Sequence, residues 1–195
     1  MDFSNSIDKL RLNKEFGSER AVLSTKQRPH TSLSMIQRIS KEIGINQGTM
    51  QKYGNLKRYV IARDITYDLF ISVYDVNSHS AIVLRPSQAI DNKEETKIRS
   101  FVRNLKKPNL EIRGVGLQNG DTELIEEINK VKEICKGPIV ELDVFGNETR
   151  HIALDLKTGM TYNILLLDRI YRPGELVTTL GKNDFEAKRS KISFV

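Results

Sequence analysis

Several stretches of the chain carry residue types that could do chemistry. In ELDVFGNETRHIALDLK, strand alternation places Glu141, Asp143, His151, Asp155 and Lys157 on one face. Val140, Leu142, Val144, Ile152, Leu154 and Leu156 fall on the other. Carboxylates gathered this way suit a hard cation, and a half-buried antiparallel hairpin produces the same partition with no chemistry at all. RGVGLQNGD sets glycines at 114, 116 and 120 between a strand and a helix, as phosphate-cradling loops do. Its spacing fits neither the dinucleotide fingerprint nor the P-loop, so a tight turn explains it better. RIYRPGEL flanks a tyrosine with two arginines, which suits stacking on a base or anchoring a turn, and the turn is preferred. His30, His79 and His151 lack ligand spacing. The one cysteine, Cys135, ends an apolar helical stripe and reads as a buried, inert thiol.

The elements that must position these groups follow from periodicity. Residues 1–30 form an extended basic arm with scattered apolar residues. From Thr31 the pattern tightens, and Ser32 or Ser34 caps an expected helix through Met35, Ile36, Ile39 and Ile43, ending at Gly44. After Tyr53 the period becomes strand-like, in RYVIAR, TYDLFISVYDV and SAIVLRPS, with VNSH as a hairpin turn. NKEETKIRSFVRNLKK is a helix with Ile98, Phe101, Val102 and Leu105 on one face, stopped by Pro108. LEIRGVGL reads as a strand, and DTELIEEINKVKEIC as a helix capped by Asp121 or Thr122. PIVELDVF and RHIALDLK form a strand pair joined through GNET, and TYNILLLDRIY is a further strand before RPGE. The fold class expected is α+β: a short helical N-terminal unit, then a mainly antiparallel sheet with two packed helices. Three regions result: an arm over 1–30, a helical hairpin unit over 31–56 and an α+β domain over 57–195.

If Gly44 is a turn glycine, Ile39, Ile43, Ile45, Met50 and Tyr53 are the apolar glue of two crossing helices, and the small Ser40 sits where they approach. Residues 36–55 thus resemble the helix-turn-helix of bacterial and phage DNA-binding proteins. The resemblance implies that a second helix near Asn46–Tyr53 enters the major groove, with Gln47, Thr49 and Gln51 reading base edges. It implies too that Asn46 caps that helix and that Lys41, Lys52, Lys57 and Arg58 hold phosphates. Gly48, inside the helix, and Gly54, just after it, depart from the pattern; a plain αα-hairpin obeys the same packing rules. An acid on one strand and Asp155-Leu156-Lys157 on its neighbour resemble a metal-dependent nuclease superfamily. By that resemblance Asp143 and Asp155 hold Mg²⁺ and Lys157 activates water, although Leu142 stands where the family has proline.

Composition bounds the function. The chain has 195 residues, 38% hydrophobic and 29% charged, enough for one sizeable core. No apolar run reaches the length of a spanning helix and the N-terminus lacks a signal-like core, so a cytoplasmic protein without membrane contact is expected. The net charge of +6 is lopsided: Met1–Arg63 holds 12 Lys and Arg against 5 Asp and Glu. The rest holds 19 against 20. Such asymmetry suits a segment that faces phosphates. The leading expectation is a non-enzymatic, transcription-regulating protein on double-stranded DNA, without cofactor or metal, its α+β domain dimerising or binding a partner. A homodimer is implied only by the helix-turn-helix resemblance. The alternatives are a structural or interaction subunit of a larger assembly, docked through its arm, and the Mg²⁺-dependent nuclease.

Overall fold

The computed structural model describes residues 28–116, 122–144 and 149–166. The arm before Arg28, the QNGD turn with the Asp121 cap, most of the GNET connection and the RIYRPGEL turn lie outside the described residues.

The fold is α+β, and its layers follow from which strands are apolar on both faces. Strand β4 (Tyr59–Ile65) is followed by the hairpin of β5 (Leu69–Asp75) and β6 (Ser80–Arg85). Every residue of β5 and β6 is buried, so both faces are covered. The hairpin turn falls at VNSH: Asp75 accepts hydrogen bonds from the Ser78 N–H and from Asn109 N–H, closing the loop. Helix α2 (Asn92–Arg103) is capped by Asp91, which accepts from Glu94 N–H at 2.7 Å. It ends five residues before Pro108. Strand β7 (Leu110–Gly116), helix α3 (Thr122–Cys135) and strand β8 (Ile139–Asp143) form a parallel β-α-β unit. Strands β9 (Arg150–Asp155) and β10 (Thr161–Leu165) complete the chain.

Residues 31–56 do not form a helical hairpin. Strand β1 (His30–Ser32) leads into a single helical turn, α1 (Leu33–Ile36), and a 3-10 turn over Gln37–Ile39. The chain then extends as β2 (Ser40–Glu42) and β3 (Gln47–Lys52). Two five-stranded sheets result, in the orders β1-β10-β9-β4-β2 and β3-β6-β5-β7-β8. The expected PIVELDVF/RHIALDLK hairpin is also absent, since β8 and β9 belong to different sheets. Alternation within a strand reveals its two faces but not its neighbour.

The core has two main parts. Leu69, Ile71, Val73, Ile82, Leu84 and Ile112 face helices α2 and α3. Phe70, Tyr74, Val83 and Val115 face Val60, Ala62, Ile152 and Leu154 of the other sheet. A smaller cluster of Ile36, Ile61, Ala153 and Ile164 seats α1 on the outer face of that sheet. Only four residues separate β2 from β3, so the edges of both sheets come together on one side of the molecule. Among the described residues no helix is long and apolar enough to cross a membrane.

Candidate functional site

The apolar stripe that suggested a helix through residues 35–43 is divided among three environments. Ile36 packs beneath α1, Ile43 enters the space between the sheets, and Ile39 is exposed. Ser40 is buried, but its hydroxyl donates to Ile36 C=O at 2.6 Å while its backbone begins β2 beside Tyr59. The glue positions Ile45, Met50 and Tyr53 are exposed as well. Two helices cannot be held together by side chains that face solvent.

The proposed base readers are strand residues. Gln47, Thr49 and Gln51 pair with Arg85, Val83 and Ala81 of β6, which puts them on the face directed to the opposing sheet. The Gln47 side chain accepts from Gly44 N–H, and Gln51 donates to the Thr49 hydroxyl at 2.9 Å. Asn46 caps no helix: at φ 56 it accepts from the backbone and hydroxyl of Ser87. Lys41 and Lys52 are exposed on β2 and β3. Lys57 donates to Arg38 C=O at 3.0 Å. Arg58 forms a bidentate pair with the fully buried Asp155, at 3.0 and 2.8 Å, and lies 5.1 Å from the Tyr59 ring centre. The Asp155 hydrogen bond holds the Arg58 guanidinium above its ordinary pKa. Arg58 is thus tied to its own sheet.

The nuclease constellation is not assembled. Asp143 points between the sheets, where it accepts from Arg28 at 2.7 Å and Arg150 at 3.2 Å. Asp155 alternates with Ile152 and Leu154 and faces outward, to Arg58. Lys157 follows in the β9–β10 turn, where its backbone N–H donates to Asp155. The two carboxylates face opposite sides of β9's sheet, each already held by arginine, so they cannot share an ion.

Asp143 belongs instead to a buried ionic cluster that sequence reasoning missed. Glu141 receives Arg28 and the Thr161 hydroxyl, and Arg113 donates to Glu111 at 2.6 Å. Arg113 also stands 3.7 Å from Glu141. A bulge at Val140 lets Ile139 and Leu142 both face the helices and turns Glu141 and Asp143 to the opposite side, with Arg113 opposite Glu141 in β7. The cluster locks the end of the arm at Arg28 to both sheets. Its only sequence signal is the ELD triplet, whose Glu141 and Asp143 share the polar face that strand alternation predicts.

The exposed residues define a second feature. Six of the eight large apolar side chains exposed among the described residues lie between Met35 and Leu56. Leu56 is 94% exposed, Met35 77% and Met50 53%. Backbone bonds tie the stretch to both sheets: Arg58 N–H donates to Ile39 C=O, Ile43 N–H to Ile61 C=O, and Asn46 N–H to Arg85 C=O. Arg38, Lys41 and Lys52 are interleaved with the apolar groups, and the single acid, Glu42, is paired with Arg63. Strand β3 forms its rim, with its far side unpaired among the described residues.

Comparison with known proteins identifies no matching family model and no matching curated protein.

Proposed function

We propose that the chain is an interaction subunit that docks to a protein through the surface over residues 35–58. The observation that carries this reading is the concentration of the exposed Met35, Ile39, Ile45, Met50, Tyr53 and Leu56 in one stretch of chain, which includes edge strands of both sheets. Leaving such groups in water costs roughly 25 cal/mol per Å² of apolar surface, which a partner recovers by covering them. Contiguous apolar patches rimmed by polar groups are a feature of docking sites. The cations at Arg38, Lys41, Lys52 and Lys57 suit the polar rim. Such a subunit would work in the cytoplasm.

A second reading is nucleic-acid binding, supported by those same cations and by the absence of an unpaired acid among residues 35–58. It involves phosphate contacts along the rim, with no recognition helix. Native size-exclusion of a lysate from expressing cells separates the readings. The full chain should elute well above its 22.3 kDa mass with or without nuclease, and Leu56→Glu should move it toward the monomer position. A nuclease-sensitive large form would favour the second reading, and a monomer throughout would remove the first.

A further inference from the structure

The open side of β3 (Gln47–Lys52) has a pattern of its own. Tyr53 N–H donates to His79 C=O at 2.8 Å, continuing the β3–β6 register in which each residue and its partner sum to the same value. Antiparallel strands alternate, so Thr49 and Gln51 direct their backbone groups to β6 as Tyr53 does, while Gly48, Met50 and Lys52 direct theirs outward; at the start of the strand Gln47 N–H donates to Gly44 C=O and Asn46 N–H to Arg85 C=O. Of these, the Lys52 carbonyl takes a long turn bond of 3.3 Å from Asn55 N–H and retains a second lone pair.

The strand is also the most open edge described. β1 and β2 are three residues each, and β8, at the far edge, is buried at every position except Val140. Four of the six β3 residues are exposed, and none is proline. Proteins usually blunt an edge of this length with several charges, a bulge or proline; β3 has one lysine.

We infer that β3 pairs with β3 of a second copy, antiparallel across a two-fold axis at Met50, joining the two β3-containing sheets into one of ten strands. This rests on the docking reading and names the partner. The outward groups are symmetric about Met50, so a two-fold there sets Met50 against Met50 of the other copy and Gly48 against Lys52. Both are hydrogen-bonded pairs, giving up to six N–H to C=O bonds. The half-exposed Met50 side chains cover each other. Lys52 meets a residue without a side chain, and the two Lys52 residues lie about 14 Å apart along the strands at ~3.4 Å per residue, beyond the screening length of physiological salt. The absence of like-charge opposition, and the symmetry about Met50 of outward backbone groups that pair with no strand among the described residues, favour a second copy over an unrelated strand. The isologous contact closes at two subunits.

The test uses the purified full chain in sedimentation equilibrium from about 1 to about 100 μM, with melting curves to verify folding. The parent should reach a dimer. Met50→Pro should be at least 10-fold weaker in self-association, because it removes an outward N–H and no bond to β6. Met50→Lys, which sets two cations at the axis, should weaken it similarly without changing the backbone. Met50→Cys should form a disulfide-linked dimer under mild oxidation, since hydrogen-bonded antiparallel partners have Cα atoms ~5.5 Å apart, within disulfide reach. Thr49→Cys, on the other face and opposite Gln51, should not. Cys135 is buried, with its thiol pushed up to about 12, and adds no background. A monomer at all concentrations, or cross-linking equal at positions 49 and 50, overturns the inference. If the large lysate form persists and remains sensitive to Leu56→Glu, the docking reading stands and only the second copy is excluded.

Discussion

At the scale of single residues, polar side chains here mostly serve to hold the fold. Arg28, Arg113 and Arg150 offset Glu111, Glu141 and Asp143 between the sheets, and Arg85 with Asp68 ties the β2–β3 connection through Ile43 C=O. Truncating one member of such a buried set leaves its partner uncompensated, at a typical cost of ~3–5 kcal/mol. His151 shows how one side chain makes stability depend on pH. It accepts Asp64 N–H on Nδ1 at 3.1 Å, which requires a neutral ring, and Asp64 sits at φ 55 in the irregular stretch of β4. Burial lowers the His151 pKa, opposed more weakly by the Asp64 carboxylate. Because the unfolded chain binds the proton more readily, this contribution to stability is complete above the ordinary histidine value near 6.5 and is lost as pH falls below it. The urea midpoint should therefore drop less between about pH 7.5 and about pH 5.5 in His151→Gln, whose amide oxygen still accepts Asp64 N–H, than in the parent. An unchanged drop would show that His151 titrates as it does in the unfolded chain.

At the scale of elements, close approaches determine which turns are replaceable. Gly159, at φ 73, turns β9 into β10, and a Cβ there would stand 2.4 Å from Cε1 of Tyr74. Tyr74 cannot easily retreat: it is buried and its hydroxyl donates to Leu156 C=O. Gly159→Ala should cost roughly 1–3 kcal/mol, seen as a lower melting temperature, and a parent-like melt would contradict the packing described. The sequence disclosed β4 to β10 and both long helices because each has one clear period, bounded by turn residues or proline. It misled over residues 31–56. Ile36, Ile39 and Ile43 have helical spacing, yet the first packs under α1, the second is exposed and the third lies between the sheets. Short edge strands leave little period to read, and their pairing partners are distant: β2 joins β4, and β3 joins β6, through long-range hydrogen bonds. The same nonlocality separated β8 from β9 and with them Asp143 from Asp155. Of the residues expected to touch DNA, the sequence located the exposed lysines but not their setting.

At the scale of the whole molecule, the two sides of the sandwich differ in kind. On the β1/β8 side the buried arginines and carboxylates close the sheets around Arg28. On the β2/β3 side the sheets end in apolar groups, lysines and an open strand. The excess positive charge of the first third is therefore partly structural, since Arg28, Arg58 and Arg63 are paired with acids, and partly displayed at Arg38, Lys41 and Lys52. An interface led by apolar contact should change little with salt, whereas one led by phosphate contacts should weaken steeply as salt rises. Residue-resolved hydrogen exchange of the full chain, free and in its assembled form, tests the docking surface most directly. Assembly should slow exchange across residues 35–58, most strongly at the outward amides of Gly48, Met50 and Lys52, with Thr49 and Gln51 protected in both states. Slowed exchange confined to the β1/β8 side, or no change over residues 35–58, would contradict the account.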